Sequence, residues 1–201
     1  NPRSGTGSVR FYSGFSRNEV AEGKNVIAAA RAAGVTHLVY SSGAAAEPGN
    51  GIPKAAKMQI EEAIVSSGLT YTVFRPVAFM ENLNLQQKLV AKKGITDSRD
   101  PERILHFISI PDIGFFVGES FDSPDEWSDV AINIASERMT VAEYVQTIGD
   151  VMGRSLPYNQ QPLEEYLASR PKFLRPLFRW YENVGYEADV DSFRQRYPDL
   201  T

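Results

Sequence analysis

The same local order occurs twice in this chain, and that repeat is the strongest constraint on its fold. A helical pattern ends at Gly34 and is followed by the apolar segment 36–41; a second helical pattern ends at Gly68 and is followed by the apolar segment 71–74. Glycine often ends a helix, and short β-branched and aromatic runs are typical of buried strands. Because strands that alternate with helices form parallel sheets covered by helices, we expect an α/β protein with a doubly wound parallel sheet.

The first two helices have recognisable start signals. Ser16 and Glu19 have the spacing of a capping box, which predicts a helix over residues 20–33. Proline is favoured in the first turn of a helix, so we expect the second helix to open at Pro53 and to run to Ser67.

Later elements follow a looser pattern. The periodicity predicts helices over 81–92, 111–121 and 141–152 and a strand over 131–135. Thr140 and Glu143 form a capping box at the start of the last of these helices. The final fifty residues are rich in proline and aromatic residues and predict a small helical lobe rather than more sheet. We therefore expect a flexible segment over 1–15, an incomplete Rossmann-like core over 16–153 and a helical lobe over 154–201.

Composition fits a globular protein and excludes several classes of site. Hydrophobic residues make up 42% and charged residues 23% of the 201 residues, which is enough apolar material for a core. The net charge of -4 gives no general attraction to nucleic acid or to anionic membranes. The sequence has no cysteine, which removes thiolate nucleophiles and cysteine-ligated metals, and no apolar run reaches the ~18 residues of a membrane span. We expect a cytoplasmic location.

Histidine and serine motifs are equally sparse. The chain has 2 histidines, His37 and His106, which do not form a paired metal-binding motif, so we expect no metal site. His37 begins a predicted strand and is interpreted as structural. The Gly-x-Ser-x-Gly motif of serine hydrolases is missing from the sequence.

Open α/β sheets bind ligands beyond the carboxyl ends of their strands. Ser41, Ser42 and Gly43 end the first predicted strand, and Arg75 and Pro76 end the second. Small hydroxyl and glycine residues allow a ligand to approach the backbone closely. The alternative is that the serines merely end a strand and that Arg75 pairs with an acid.

Lys57 occupies an unusual place on the second predicted helix. The buried stripe of this helix would consist of Ala56, Ile60, Ala63, Ile64 and Ser67. Lys57 falls about 20° from Ile64 on the helical projection and therefore leans inward. A cation in the first turn opposes the helix macrodipole at a cost of about 0.3–1 kcal/mol, which favours a ribose hydroxyl, phosphate or carbonyl as its partner. The alternative is a snorkelling stem with an ion pair to Glu61, four residues on.

Gly5-Thr6-Gly7 is the only Gly-x-Gly in the part of the chain where a dinucleotide loop would be expected. No strand precedes it, and Arg10 stands at the position of the third glycine. We interpret it as part of an end or a linker rather than as a phosphate-binding loop.

Basic and aromatic residues alternate over residues 170–181. Four cations and no acid lie in this stretch: Arg170, Lys172, Arg175 and Arg179. Such a surface could bind nucleic acid, a membrane or an acidic partner. We favour an amphipathic helix of the small lobe, broken by Pro176, with aromatics packed inward and solvated cations.

A series of short motifs runs in a fixed order from about residue 18 onward. They are Val20 to Val26, Ala32 to Ser42, Gly51 to Pro53, Lys57 to Glu61, Tyr71 to Pro76, Met80 to Leu83, Phe107-Ile108, Asp112 to Gly114, the turn from Pro124 to Trp127, and Gly185 to Asp189. In order and spacing the chain resembles the NmrA-like family of atypical short-chain dehydrogenases. The resemblance implies a Rossmann-like NAD(P)-binding fold with a small C-terminal lobe. The family includes quinone and aromatic-compound reductases as well as regulators that sense the cofactor without catalysis.

The resemblance also implies roles for individual residues. Ser41, Ser42 and Gly43 would line the nicotinamide side of NADP or NAD, Lys57 would hold the nicotinamide ribose as the catalytic residue, Arg75 and Pro76 would contact the cofactor, and Phe79 and Asn82 would contact the substrate.

Two features depart from the family pattern. The initial strand and the Gly-x-x-Gly-x-x-Gly turn that grips the pyrophosphate do not occur in this sequence, and Pro53 stands four residues before Lys57, where ordinary short-chain dehydrogenases have a tyrosine proton donor. We expect part of a longer NAD(P)H-dependent reductase of a small carbonyl or quinone, with weak or no cofactor binding by the 201-residue chain alone. The alternatives are a non-catalytic redox sensor that binds a protein partner through the small lobe, and a remnant that binds no cofactor.

Overall fold

The computed structural model describes residues 18–46 and 56–201. In chain order its strands are β1 (Leu38–Ser41), β2 (Tyr71–Pro76), β3 (Ala78–Phe79), β4 (Ile95–Asp97), β5 (Ile104–Ile108), β6 (Val130–Ile134), β7 (Glu137–Thr140) and β8 (Tyr158–Gln160). The helices are α1 (Glu19–Ala32), α2 (Ala56–Val65), α3 (Gln87–Lys93), α4 (Ile110–Asp122), α5 (Pro124–Trp127), α6 (Val141–Val151), α7 (Leu163–Ala168), α8 (Arg175–Asn183) and α9 (Val190–Arg196). Short 3-10 helices cover Ala44–Ala46 and Met80–Leu85.

The main sheet has the order β1-β2-β6, and both of its strand pairs are parallel. Leu38 lies opposite Tyr71, and Arg75 lies opposite Asn133. Helix α2 connects β1 to β2, as a parallel crossover requires. The predicted parallel arrangement of the two apolar segments is therefore confirmed.

Helices α1 and α2 cover one face of this sheet. Ile27, Ile60 and Ile64 form a buried cluster there with Val73 of β2. A side chain at Gly23 would place its Cβ 2.8 Å from the Ile60 side chain, so glycine is what allows the two helices to approach closely. The predicted stripe is confirmed within α2, where Ile60 and Ile64 are buried and the two alanines are half-buried. Ser67 is also buried but lies beyond the end of the helix at Val65, and the predicted start at Pro53 lies outside the described residues.

The opposite face carries the larger core. Phe74 of β2, Phe116 of α4 and Trp127 of α5 pack there edge to face. Phe193 of α9 meets Phe116 edge to face, with ring centroids 5.0 Å apart. The C-terminal helix thus belongs to the same core as the sheet, while the division of the chain at residue 153 stays a prediction.

Two small sheets accompany the main sheet, and one of them begins with β3, directly after β2. Strand β5 pairs with β3 in parallel and with β7 in antiparallel orientation. Strand β8 pairs in parallel with β4. The C-terminal region is mainly helical, as expected, with α7, α8 and α9, and its one short strand, β8, completes a sheet with a partner about sixty residues earlier, a pairing that local patterns do not reveal.

Several predicted boundaries shift. Helix α1 begins at Glu19 with Asn18 as its N-cap, whereas the predicted cap, Ser16, lies outside the described residues. The helix predicted over 81–92 is divided into the 3-10 helix 80–85 and α3. The capping box of α6 is confirmed, with both the Thr140 and the Glu143 hydrogen bonds in place.

The basic segment 170–181 contains α8. Pro176 lies in the first turn of this helix instead of breaking it. Trp180 is buried, as predicted, but Phe173 is exposed, contrary to the prediction. The cations are not simply solvated: the Arg170 guanidinium lies 4.2 Å from the centre of the Tyr166 ring, and Arg179 pairs with Glu164 at 2.6 Å. These contacts attach the segment 170–181 to helix α7, which carries Glu164 and Tyr166.

Candidate functional site

The carboxyl ends of β1 and β2 bring most of the predicted site residues together. Ser41 lies opposite Phe74 in the strand register, and the Ser42 N–H donates to the Phe74 carbonyl at 2.7 Å. Pro76 ends β2 and is buried opposite Ile134 of β6. This edge is where open parallel sheets bind ligands.

Ser42 carries a buried polar group that the described residues do not satisfy. Its side chain is 7% exposed, and its hydroxyl has no hydrogen-bond partner among the described residues. A buried hydroxyl without a partner costs about 1–3 kcal/mol. The hydroxyl is therefore well suited to bind a polar group of a ligand, whereas Ser41 beside it is exposed.

Lys57 projects from the first turn of α2 toward the same edge. Its aliphatic stem lies beside Gly43, where an added Cβ would be 3.6 Å from the lysine Cδ. Its Nζ donates to Glu19 Oε1 at 3.2 Å, and its side chain remains 42% exposed. Glu19, in the first turn of α1, is favourably placed for that helix's macrodipole and offsets the unfavourable placement of Lys57. The alternative interpretation of Lys57 was an ion pair with Glu61; in the described structure Lys57 instead pairs with Glu19, and Glu61 pairs with Arg75.

Tyr40 lies beneath the ammonium group. The Lys57 Nζ is 5.8 Å from the centre of the Tyr40 ring, within the range of a cation–π contact. The Tyr40 hydroxyl is buried and has no hydrogen-bond partner within the described parts of the chain. Burial, followed by the nearby charges of Glu19 and Glu61, raises the pKa of Tyr40 well above its usual range, so the phenol is neutral at physiological pH.

Arg75 and Glu61 form a buried ion pair between β2 and α2. Arg75 Nη2 donates to Glu61 Oε2 at 2.7 Å, and Nε approaches both carboxylate oxygens at 3.1 and 3.2 Å. The two side chains are 11% and 6% exposed. The pair fixes α2, and with it Lys57, to the strand end. The alternative interpretation of Arg75, an arginine paired with an acid, describes this geometry, and its role toward a cofactor stays a prediction.

The two predicted substrate residues lie on the next segment of the chain. Phe79 ends β3, and Asn82 lies in the 3-10 helix that follows; both are exposed. Their neighbours Met80 and Leu83 instead line a cavity. Sequence reasoning missed these two residues because the 3-10 geometry, which local patterns did not predict, determines which side chains face inward.

This cavity has a volume of about 540 Å³ and lies among the 3-10 helix, α3, β5, β7 and α6. It is lined by Met80, Leu83, Gln87, Val90, Ala91, Phe107, Met139, Tyr144, Thr147, Ile148, Val151 and Met152. Phe107 stacks on Tyr144 with ring centroids 5.0 Å apart and an interplanar angle of 24°. The lining contains no charged side chain in the described residues, so the cavity is suited to an uncharged ligand with apolar surface.

Polar groups in the cavity are few. The Thr147 hydroxyl donates to the Glu143 carbonyl, and Gln87 donates to Asn84 Oδ1. Tyr144 contributes a phenol whose pKa is raised by burial, with a smaller opposing effect from Arg99. Tyr144 therefore remains a neutral hydrogen-bond donor.

The described residues offer neither a cluster of metal ligands nor a membrane-spanning helix. Within 18–46 and 56–201, no group of three or more histidine, aspartate or glutamate side chains could hold a metal ion. His37 contacts the Thr72 hydroxyl at 2.8 Å, a structural bond between a strand start and the sheet. Among the helices of the described residues, none combines the length and apolar character needed to cross a membrane.

Parallel strands, helices on both faces and polar residues at the carboxyl edge define a Rossmann-like α/β protein. The sequence model of the NmrA-like family matches residues 5–196, and the chain belongs to this family.

Individual relatives are more distant. An NAD(P)H azoreductase from Xenophilus azovorans is 24% identical over 141 residues, which cover 70% of this chain and 49% of the relative. An NADPH-dependent quinone oxidoreductase from Escherichia coli, solved with NADPH, superposes with a TM-score of 0.76 at 17% identity, covering 91% of this chain and 68% of that one. NmrA, a negative transcriptional regulator solved with NAD, has a TM-score of 0.68 at 19% identity, covering 92% and 67%. The chain thus spans about half the length of the curated azoreductase that it matches.

Proposed function

We propose that this chain is the nicotinamide-binding and acceptor-binding part of an NAD(P)H-dependent reductase of a quinone or small carbonyl compound. The observation that carries the proposal is the convergence of the Ser42 hydroxyl, Gly43 and the Lys57 ammonium at the carboxyl edge of the parallel sheet. The reductases among the similar proteins support it.

The residues at this edge fit the nicotinamide ribose end of the cofactor. Ribose hydroxyls can donate to the Ser42 oxygen, which has no partner within 18–46 and 56–201, and can accept from an ammonium group. Lys57 has three N–H donors and gives one to Glu19, which leaves donors for a ribose oxygen. The cofactor would supply a hydride to the acceptor.

Lys57 acts in this proposal as a fixed donor that orients the ribose. Glu19 holds the ammonium, Gly43 allows the lysine stem to lie against the backbone, and the Arg75–Glu61 pair holds the helix. Orientation of this kind contributes to rate because a reacting group held in place loses less entropy on the way to the transition state.

The apolar cavity is the proposed acceptor site. Met80 and Leu83 follow directly on β3, so the cavity is linked through a few residues to the strand end that carries Pro76. A flat quinone ring matches the stacked pair Phe107 and Tyr144, and the Tyr144 hydroxyl can donate to an acceptor oxygen.

Binding and turnover separate the proposed activity from its rivals. The first measurement is isothermal titration with NADPH and NADH; the second is oxidation of NAD(P)H by 1,4-benzoquinone, in which one quinone and one proton yield one hydroquinone per NAD(P)H. Binding with turnover supports the reductase.

We expect Lys57→Ala to weaken the binding of NADPH by about tenfold, or 1.4 kcal/mol. An unchanged affinity would remove Lys57 from the site.

The acceptor site has a separate test. Ala91 lines the cavity from the exposed side of α3, so Ala91→Phe should fill part of the volume without removing a core side chain. We expect the KM for benzoquinone to rise about fivefold or more, with NADPH binding unchanged. Ala29→Phe, at an exposed position of α1, is the matched control and should leave both values unchanged. Equal KM values for the two variants would place the acceptor elsewhere.

A cofactor-sensing regulator is the second candidate. The fold similarity to a negative transcriptional regulator solved with NAD favours it. Binding of NAD(P)H without turnover of any quinone would support this function and exclude the reductase. A protein partner would then bind through the surface of the C-terminal lobe, as the sequence suggested.

A further inference from the structure

The segment from Gly185 to Ala188 has no role in the proposed function, yet it crosses the ligand-binding edge of the sheet. Helix α8 ends at Asn183, and Gly185 then adopts a φ of 72°. The Gly185 N–H donates to the Trp180 carbonyl at 3.1 Å. This left-handed turn directs the chain back over the sheet, and it favours glycine.

Tyr186 is bound to the chain just beyond β2. The Ala78 N–H donates to the Tyr186 hydroxyl at 3.2 Å. Ala78 stands two residues after Pro76 and one before Phe79, both predicted ligand contacts. The bond therefore holds the backbone of residues 76–79. We call this segment, which carries the predicted ligand contacts Pro76 and Phe79, the wall 76–79.

The next residue is bound to the neighbouring strand. The Asn133 side-chain amide donates to the Glu187 carbonyl at 2.8 Å. Asn133 lies opposite Arg75 in the register of β2 and β6. Residue 186 is thus attached to the chain just beyond β2, and residue 187 to β6, the neighbour of β2 in the sheet.

The Tyr186 ring is held by aromatic neighbours. It stacks on Trp180 at 6.3 Å and 29°, meets Tyr181 edge to face at 5.6 Å, and lies 6.2 Å from His106. A ring packed on several sides has little freedom to move, so its hydroxyl offers a fixed point of attachment.

From this geometry we propose that Tyr186 is a positioning residue for the proposed ligand site at the carboxyl edge of the sheet. Tyr186 determines where the wall 76–79 lies relative to a bound cofactor and acceptor. Its effect on ligands rests on the proposed function. The hydroxyl acts through the Ala78 amide, and the wall carries Pro76 and Phe79. Displacement of such a wall by a fraction of an ångström weakens the binding of a ligand that contacts it.

Tyr186→Phe tests the proposal, because it removes the hydroxyl and keeps the ring. Tyr181→Phe is the matched control: it removes a hydroxyl from the same aromatic cluster, one that makes no hydrogen bond in the described structure. Hydrogen exchange of the peptide that contains residues 76–80 should be about three- to tenfold faster in Tyr186→Phe and unchanged in Tyr181→Phe.

Ligand binding provides the second measurement. We expect Tyr186→Phe to raise the Kd for NADPH and the KM for 1,4-benzoquinone about fivefold while kcat changes less than twofold, and Tyr181→Phe to change none of them. Equal exchange in both variants, or faster exchange with unchanged Kd and KM, would overturn the proposal. If the wild-type chain binds neither NADPH nor benzoquinone, the proposed function fails, and the exchange comparison still decides whether Tyr186 holds the wall.

Discussion

The stability of the candidate site depends on charged side chains that are buried, above all on one ion pair. The Arg75–Glu61 pair lies between a helix and a strand end with little exposure to solvent. Replacement of one member of a buried pair leaves the other charge without its partner, which costs more than the intact pair contributes. The site therefore depends on this pair even if neither residue touches a ligand.

Arg75→Met should lower the free energy of unfolding by about 3–5 kcal/mol, because the Glu61 carboxylate would lose its guanidinium. Urea denaturation measures this change. Arg179→Met is the control, since Arg179 and Glu164 form an exposed pair that solvent screens; there we expect a much smaller loss. Equal losses would show that the Arg75 pair is not buried in solution.

The burial of His106 can be tested through the pH dependence of the free energy of unfolding. It is buried on β5 beside Tyr186, with Glu187 and Arg138 as its charged neighbours. Burial lowers its pKa, Glu187 opposes that shift and Arg138 adds to it. The unfolded chain therefore binds a proton at a pH where the folded chain does not, so stability falls as the pH drops from about 6.5 through the lower folded pKa.

The expected result is a larger loss of unfolding free energy between pH 7 and pH 5 for the wild type than for His106→Gln, measured by urea denaturation at each pH. His37, whose pKa is also lowered by burial, remains in both proteins and contributes equally. Identical pH dependence of the two proteins would contradict a neutral, buried His106.

At the scale of secondary-structure elements, the connection from α3 to β4 requires glycine at position 94, both for its backbone conformation and for its close approach to Pro157. Gly94 has a φ of 78°, and an added Cβ would lie 2.1 Å from the Pro157 carbonyl oxygen. This contact is with backbone, which cannot rotate away. Gly94 thus permits β4 to pair with β8 beside the helix that lines the cavity.

Gly94→Ala should therefore destabilise the protein more than Gly68→Ala. Gly68 has a similar φ of 72° with open space around it, so its replacement costs only the left-handed conformation, about 1–2 kcal/mol. We expect Gly94→Ala to cost at least about 1 kcal/mol more, because backbone must move. Thermal unfolding of both variants provides the comparison, and equal transition temperatures would contradict the close contact.

The elements also show how much the sequence could predict. The end of the first strand at Ser41, the start of the second at Tyr71 and the helices α4 and α6 followed from periodicity and caps, because those signals are local. Strands β4 and β8 have only three residues each, and their stability comes from pairing across about sixty residues. Patterns within a short window carry no information about such partners.

The same limit applies to the candidate site. The positions of Ser42 and Lys57 at the sheet edge could be expected from the strand and helix order. The pairing of Lys57 with Glu19 could not be expected from the sequence, because it depends on the packing of α1 against α2. Tyr186 occurred in a recognised motif, but its bond to Ala78 joins residues 108 positions apart.

On the scale of the whole molecule, the C-terminal segment completes the main core. Phe193 of α9 is 8% exposed and packs on Phe116 at 5.0 Å. Phe193→Ala should cost about 3–5 kcal/mol of unfolding free energy in urea denaturation. Phe173→Ala, at a residue 73% exposed, should cost less than about 0.5 kcal/mol. Similar effects at both positions would mean that α9 is not part of the core.

The central claim is that this molecule recognises the nicotinamide end of NAD(P)H through Ser42, Gly43 and Lys57. Titration of the chain with reduced nicotinamide mononucleotide, beside NADPH, tests it most directly. We expect Kd values above about 1 µM that agree within about threefold for the two ligands, and binding of both should be about tenfold weaker for Lys57→Ala. Binding of NADPH without binding of the mononucleotide, binding that Lys57→Ala leaves unchanged, or no binding of either ligand would contradict this recognition.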